Sequence, residues 1–215
     1  MASTALQTDE EKKEYFDSPQ ELDRKVTELA QLVLGARHMT AFTGAGISTS
    51  TGIRDFRSGY NTVLATGPGC WETQANQQKY AAAMKEGKPI AAGSAAAAGA
   101  PNAPTKTVRS EVRSAYPSAT HMAMVDLMER DHLKFIVSQN CDGLHLKSGI
   151  PACNIAELHG NTNVEYCEDC GQNYRRDEAV RAANRRKDHR TGRRCERHDC
   201  NGYLKDSGIA FGENL

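Results

Sequence analysis

Residues 39–48, Met39-Thr40-Ala41-Phe42-Thr43-Gly44-Ala45-Gly46-Ile47-Ser48, decide the fold. A short, mostly apolar run enters two glycines one residue apart, as a buried parallel strand enters a phosphate-binding turn. Glycines there let the backbone approach a pyrophosphate, and a helix opening near Ile47 would aim its positive end at it. A second run, Lys134 to Ser138 (KFIVS), has the same character and ends on Gln139-Asn140-Cys141-Asp142-Gly143. In open α/β sheets ligands bind outside the carboxyl ends of the strands, so these two loops are expected to meet over one crevice. The third glycine of the dehydrogenase fingerprint is missing, and a GxG pair also occurs in ordinary turns.

Helices flank these strands. Ser18-Pro19-Gln20-Glu21 has a capping serine, proline at the first helical position and glutamate three residues after the cap. Leu22, Val26, Leu29, Ala30 and Val33 follow at helical spacing, so a helix over about 19–34 is expected, with Gly35 as a left-handed stop. Met122, Val125, Met128 and Leu133 mark another helix beginning at Thr120. Residues 1–17 are polar, without periodicity, and read as a disordered leader. From about 60 to 118 the pattern lapses; Ile90 to Pro104 (IAAGSAAAAGAPNAP) is low in complexity and reads as a mobile insertion.

The chain has 215 residues, with 27 basic side chains against 27 acidic ones, so no global field would draw it to nucleic acid or an anionic membrane. No apolar run reaches the roughly 20 residues needed to span a bilayer, and the N-terminus lacks a secretory core; an intracellular location is expected. Four of the seven cysteines cluster: Cys167-x2-Cys170, then Cys195-x4-Cys200. In a reducing compartment that spacing favours two knuckles holding a tetrahedral zinc. Four thiolates leave no open position, so the metal would order the segment and take no part in chemistry. His198 competes with Cys200 as fourth ligand. The intervening sequence is too polar to form its own core. Glu157-Leu158-His159-Gly160-Asn161 places a histidine beside a glycine, a pattern that by itself fits a structural hydrogen bond as well as a catalyst.

The order of these motifs, GAGIS, then IRDFR (53–57), THM (120–122), SQNCDGLH (138–145), ELHGN (157–161) and paired cysteines, resembles the sirtuin family over about Thr40 to Leu215. SQNCDGLHLKSG, ELHGNTNVE and TGRRC look like its class IV branch, which includes nuclear chromatin deacylases. The resemblance implies an α/β fold: a partial Rossmann-type doubly wound parallel sheet at 18–160, interrupted by the insertion, a small zinc-binding module at 161–206, and at 207–215 the start of a return to the sheet. The rest of the Rossmann domain is expected after residue 215. It also implies NAD as co-substrate, a structural zinc, and an acyl-lysine protein, such as a histone, in the cleft.

Carried over by position, Thr43, Gly44, Ala45 and Gly46 would contact the pyrophosphate and ribose. Asp55, Phe56 and Arg57 would belong to the cofactor-binding loop. Gln139 and Asn140 would approach the nicotinamide ribose, Asp142 would bind the carboxamide, and His159 would be the general base. The products would be nicotinamide, O-acyl-ADP-ribose and free lysine, in the nucleus. Arg54 stands where the family usually has proline, which would loosen the loop. Alternatives are mono-ADP-ribosyl transfer from the same pocket, or an inactive zinc and chromatin-binding fragment. Its basic stretch 175–194, with Arg175, Arg176, Arg181, Arg185, Arg186 and Lys187, would face DNA or acidic protein.

Overall fold

A computed structural model describes residues 8, 10–11, 13–60, 62–85, 115–180, 188–210 and 212–214. The low-complexity run Ile90 to Pro104, most of the expected insertion and leader, and Arg181, Arg185, Arg186 and Lys187 lie outside the described residues. The chain separates into two compact units: Met1–Gly35 with Ala45–Glu111, and Ala36–Gly44 with Val112–Leu215.

In the first unit, helix α1 spans Pro19–Gly35. Ser18 caps it, its Oγ accepting the Glu21 amide proton at 3.2 Å. Gly35 ends the helix without entering the left-handed region that the sequence suggests for it. The apolar stripe of α1 is exposed, Leu22 at 56% and Leu29 at 61%, so periodicity located the helix but, among the described residues, not a core for it. After the glycine pair the chain makes two single 3-10 turns, Ala45–Ile47 and Thr49–Thr51, where an α-helix near Ile47 was expected. Thr49 and Thr51 spend their hydroxyls on the carbonyls of Gly46 and Ser48, the local competition that keeps threonine out of helix interiors.

Helix α2, Cys70–Lys85, occupies part of the stretch expected to be irregular. It lacks an apolar stripe, so the periodicity that reveals α1 is missing. Of the leader, the Glu14 carboxylate accepts the Thr62 hydroxyl at 2.6 Å and the Val63 amide at 3.1 Å.

The second unit holds two sheets. Strands β1 (Met39–Thr43), β2 (Leu133–Ser138) and β3 (Ile155–Glu157) form a parallel sheet in the order β1-β2-β3. The sequence indicates only the first two, because β3 is three residues long and too short for a pattern. Register places Thr43 opposite Ser138 and Ser138 opposite Glu157, so all three carboxyl ends finish level. Helix α3, Ala119–Glu129, lays Met124, Val125, Leu127 and Met128 on Leu133, Ile136 and Ile150 to form the core. A short helix α4, Leu144–Ser148, follows β2.

The polar segment from 164 to 206 folds as a four-stranded antiparallel sheet. Its strands are β4 (Val164–Cys167), β5 (Asn173–Arg175), β6 (Arg190–Arg194) and β7 (Tyr203–Asp206), ordered β5-β4-β7-β6. Among the described residues, the apolar core here is Cys167, Cys195 and Leu204, edged by Tyr174 and Cys200. A fully buried carboxylate adds a second tie: Glu165 accepts from Arg176 at 2.7 Å, Arg193 at 3.0 Å and the Thr191 hydroxyl at 2.9 Å. Three elements of the module converge on that group, and a buried carboxylate is tolerated only with such partners.

Candidate functional site

The thiols of Cys167, Cys170, Cys195 and Cys200 lie within 4.8 Å of one another. Cys167 to Cys200 is 3.6 Å and Cys170 to Cys195 is 3.7 Å. Zinc–sulfur bonds of about 2.3 Å in a tetrahedron give sulfur–sulfur edges of about 3.8 Å. The first knuckle closes by a Gly171 amide donating to the Cys167 carbonyl, and Gly202 lets β7 start against the cluster, since a Cβ there would sit 2.6 Å from the Cys167 sulfur.

The donors' chemistry also asks for a cation. A hydrogen bond from Tyr174, 3.0 Å away, draws the Cys195 thiol down to about 7. Cys200, although the Gly202 amide pulls it down, is pushed up to about 12 by burial and the neighbouring sulfurs. Four adjacent thiols cannot all ionise by themselves; a divalent metal removes that conflict. These four cysteines could together hold a structural zinc. His198 is exposed and lies outside this group of four sulfurs, which includes Cys200.

A second constellation sits where β1, β2 and β3 end. The Gln139 amide donates to the Thr43 carbonyl at 3.0 Å and the Leu158 amide to the Ser138 carbonyl at 2.8 Å, tying the loops beyond the strands to their neighbours. Asn140 donates through Nδ2 to the Gly44 carbonyl at 3.0 Å. Asp142 accepts the Leu144 amide at 2.9 Å and so starts α4. His159 Nδ1 donates to the Gln139 carbonyl at 2.8 Å. A carbonyl can only accept, so this bond fixes the imidazole proton on Nδ1 and leaves the Nε2 lone pair to take a proton.

The position of His159 depends on its neighbour. Gly160 has φ of 76° and its missing Cβ would overlap the Ser207 carbonyl, so only glycine fits between His159 and Asn161. Asn161 holds the Glu157 carboxylate through Nδ2 at 2.7 and 2.9 Å. Burial pushes the Glu157 carboxyl up against that hydrogen bond.

Thus Thr43, Gly44, Gln139, Asn140, Asp142 and His159 gather at one end of the parallel sheet. Thr43 is 4% exposed and its hydroxyl faces inward, toward Ser138 and His145. The other expected residues, Ala45, Gly46, Asp55, Phe56 and Arg57, belong to the first unit. There the Asp55 carboxylate accepts the Ser58 amide at 3.2 Å and hydroxyl at 2.6 Å. The Phe56 ring lies 4.9 Å from that of Trp71, and the Arg57 guanidinium 5.1 Å above the same indole. Among the described residues, nothing lies within 4 Å of a Cβ built at Gly44 or Gly46, which leaves that backbone open to a ligand.

A three-stranded parallel sheet with a histidine at its carboxyl edge, followed by a four-cysteine module that could hold a metal ion, defines an α/β protein with a metal-binding module. Residues 44–215 match the Sir2 family, and the chain belongs to it. Among relatives, it is 40% identical over 203 residues to the NAD-dependent protein deacetylase SRT1 of Oryza sativa subsp. indica, covering 94% of this chain and 34% of that one. It is 39% identical to the NAD-dependent protein deacetylase sirtuin-7 of Mus musculus, covering 93% and 41%. An NAD-dependent protein deacetylase of Thermodesulfovibrio yellowstonii is 31% identical, over 89% and 65%. The chain spans about a third to two fifths of the first two relatives. A Sir2 homologue solved with ADP-ribose shares the fold at a TM-score of 0.51 and 20% identity, covering 87% of this chain and 64% of that one.

No described helix is long and apolar enough to cross a membrane. Of the basic stretch, Arg176 pairs with Glu165 and Glu196, Arg190 with Glu168, and Arg193 with Glu165 and Glu178. Arg181, Arg185, Arg186 and Lys187 of that stretch lie outside the described residues. Sequence reading left two buried histidines, His121 and His145, without a role, although they stand inside the quoted THM and SQNCDGLH motifs. The signal available was an imidazole at an otherwise apolar, inward-facing position.

Proposed function

We propose that this chain carries the catalytic histidine and part of the nucleotide site of an NAD-dependent protein-lysine deacylase. The carrying observation is the meeting of Gly44, Gln139, Asn140, Asp142 and His159 at the carboxyl ends of three parallel strands, with the His159 proton locked on Nδ1. The curated relatives are named for the same activity. NAD, when bound, supplies an ADP-ribosyl group that exchanges nicotinamide for the acyl oxygen of a modified lysine.

The residues divide that work physically. The open backbone at Gly44 would meet the pyrophosphate, while Asp55, Phe56 and Arg57, on the other unit, keep the cofactor-loop role that the motif resemblance implies. Gln139 and Asn140 flank the ribose, and Asp142, already oriented by the Leu144 amide, takes the carboxamide. His159 Nε2 then accepts a proton from the sugar hydroxyl, because Nδ1 is committed to Gln139; an imidazole is a good base near neutral pH. The zinc site holds the neighbouring sheet in shape and has no open coordination position.

The substrate is an acyl-lysine protein, in keeping with relatives named as protein deacetylases; the motif resemblance to the class IV branch makes histone tails the first candidates and the nucleus the place of action. The test is release of nicotinamide from NAD upon addition of acetylated histone peptides, with mass spectrometry for O-acetyl-ADP-ribose. Release dependent on the acetyl group is expected. Nicotinamide release without peptide deacetylation, with ADP-ribose appearing on protein, would replace this reading by mono-ADP-ribosyl transfer.

A further inference from the structure

Beneath the candidate site runs a buried hydrogen-bond chain that joins α4, β1 and β2, with a histidine of α3 in ring contact at its end. His121 and His145 are 0% and 2% exposed, with ring centroids 4.8 Å apart and planes at 61°. At the start of α3 the Ser118 amide donates to His121 Nδ1 at 3.2 Å, while Ser118 Oγ accepts the His121 amide at 3.3 Å. This is a capping box with histidine in the place of glutamate. Since Nδ1 accepts a backbone proton, the imidazole proton of His121 sits on Nε2.

The second histidine can be assigned the same way. Thr43 donates its hydroxyl to Ser138 Oγ at 2.9 Å, and Ser138 Oγ also accepts the Asn140 amide at 3.1 Å. With its only hydroxyl proton spent, Thr43 must accept from His145, whose Nε2 lies 2.9 Å away. His145 is therefore protonated on Nε2 and presents a bare lone pair at Nδ1. The two remaining nitrogens, His121 Nε2 and His145 Nδ1, are buried and have no other hydrogen-bond partner among the described residues. One is a donor and the other an acceptor, on rings in edge contact. Burial holds both imidazoles neutral: it is the largest influence on each, outweighing the attraction of the nearby Asp142 carboxylate.

We propose that His145 is a positioning residue for the cofactor turn: through Thr43 and Ser138 it locks the carboxyl ends of β1 and β2 together, so that Gly44 and Asn140 meet a nucleotide as one preformed surface. The role rests on the NAD reading above. It explains why Thr43, next to the glycine turn, keeps its hydroxyl pointing inward, and why a polar ring occupies a core position where leucine would pack at lower desolvation cost. The Asn140 backbone is held by Ser138 and its side chain by Gly44, so a shift in Thr43 moves both contacts. Preorganisation of this kind appears in affinity, because the ordering cost is met before the ligand arrives.

The experiment combines two measurements on the full chain. Long-range proton–nitrogen NMR of the imidazoles should show both His121 and His145 as neutral Nε2–H tautomers. ADP-ribose affinity, by calorimetry, should fall about tenfold in His145→Leu and in Thr43→Val, a hydrogen bond's worth, and recover to within about threefold in His145→Gln, whose amide can reach Thr43 from the Nε2 position. A cooperative thermal melt with wild-type circular dichroism reports that each variant is folded, and Thr43→Val, nearly isosteric, serves if His145→Leu is not. A His145 tautomer protonated on Nδ1, or unchanged affinity in both Thr43→Val and a folded His145→Leu, overturns the proposal. A wild-type chain that binds no ADP-ribose removes the NAD reading itself, and this role with it, a failure visible before any variant is made.

Discussion

At the scale of single residues, the site depends on where protons are placed. His159 has one nitrogen committed to the Gln139 carbonyl, and the Cβ-free Gly160 beside it lets Ser207 close against the loop. Replacing His159 with tyrosine keeps an aromatic ring but removes the lone pair. Acyl-dependent nicotinamide release is expected to fall at least about 100-fold, the scale of a lost general base, with zinc content unchanged. Retained turnover would show that another group takes the proton. The sequence identified His159 and Gly160 as neighbours in a loop, but the tautomer, which makes the histidine useful, comes from a carbonyl 20 residues away and is invisible to spacing.

At the scale of elements, the metal module shows how few contacts a sheet can rest on. Among the described residues, Leu204 and two cysteines form its buried apolar core, and the buried Glu165 carboxylate with its arginines and Asp206 with His189 tie the interior further. Binding of a structural metal is therefore largely the folding free energy of the module. Cys200→Ser should weaken zinc retention at least about 100-fold against a competing chelator, while His198→Ala should keep one zinc per chain. Equal metal loss in the two variants would contradict the four-sulfur site. The pairs Cys167-x2-Cys170 and Cys195-x4-Cys200 were enough to indicate the metal. They could not separate Cys200 from His198, because both lie within reach along the chain and only the fold points one of them inward.

Other elements escaped the sequence for identifiable reasons. Helix α2 has no apolar stripe, and β3 is too short to show alternation, so periodicity was silent on both. The 3-10 turns after Gly44 arise from threonine hydroxyls bonding back to the chain, which no hydrophobic pattern reports.

At the scale of the molecule, the buried histidines give stability a pH dependence of two signs. His121 and His145 have lowered values, the latter about 4, mainly through burial. The unfolded chain then binds more protons than the native one below about pH 6.5, and stability falls from there toward the folded values, by up to about 1.4 kcal/mol per pH unit for each imidazole. His189 goes the other way. Burial opposes its charge, but Glu213 at 2.8 Å and Asp206 at 3.0 Å outweigh burial and raise it. Its contribution is complete below the ordinary value near 6.5 and is lost as pH rises through the raised one. Thermal melts should therefore show wild type exceeding His189→Gln by more at pH 6 than at pH 9. Between pH 6.5 and 4, the melting temperature of Thr43→Val should fall in parallel with wild type, since the histidines remain buried. A gap for His189→Gln that is constant with pH would mean that this imidazole is neutral in its clasp.

The sequence by itself determined the strand-and-turn at 39–46, the loop at 139–142, the histidine at 159 and the cysteine pairs, because each is a local pattern whose chemistry needs those residue types side by side. It also placed the chain in its family through the order of those patterns. Only the tertiary structure decided which groups meet: that Asn140 reaches the Gly44 carbonyl, that Gln139 sets the His159 proton, that Glu165 gathers two arginines, and that His121 and His145 lie under the site. Those are contacts between elements far apart in the chain. Their partners are chosen by register and packing, which fix distance and direction, and neither is written in any single stretch of residues.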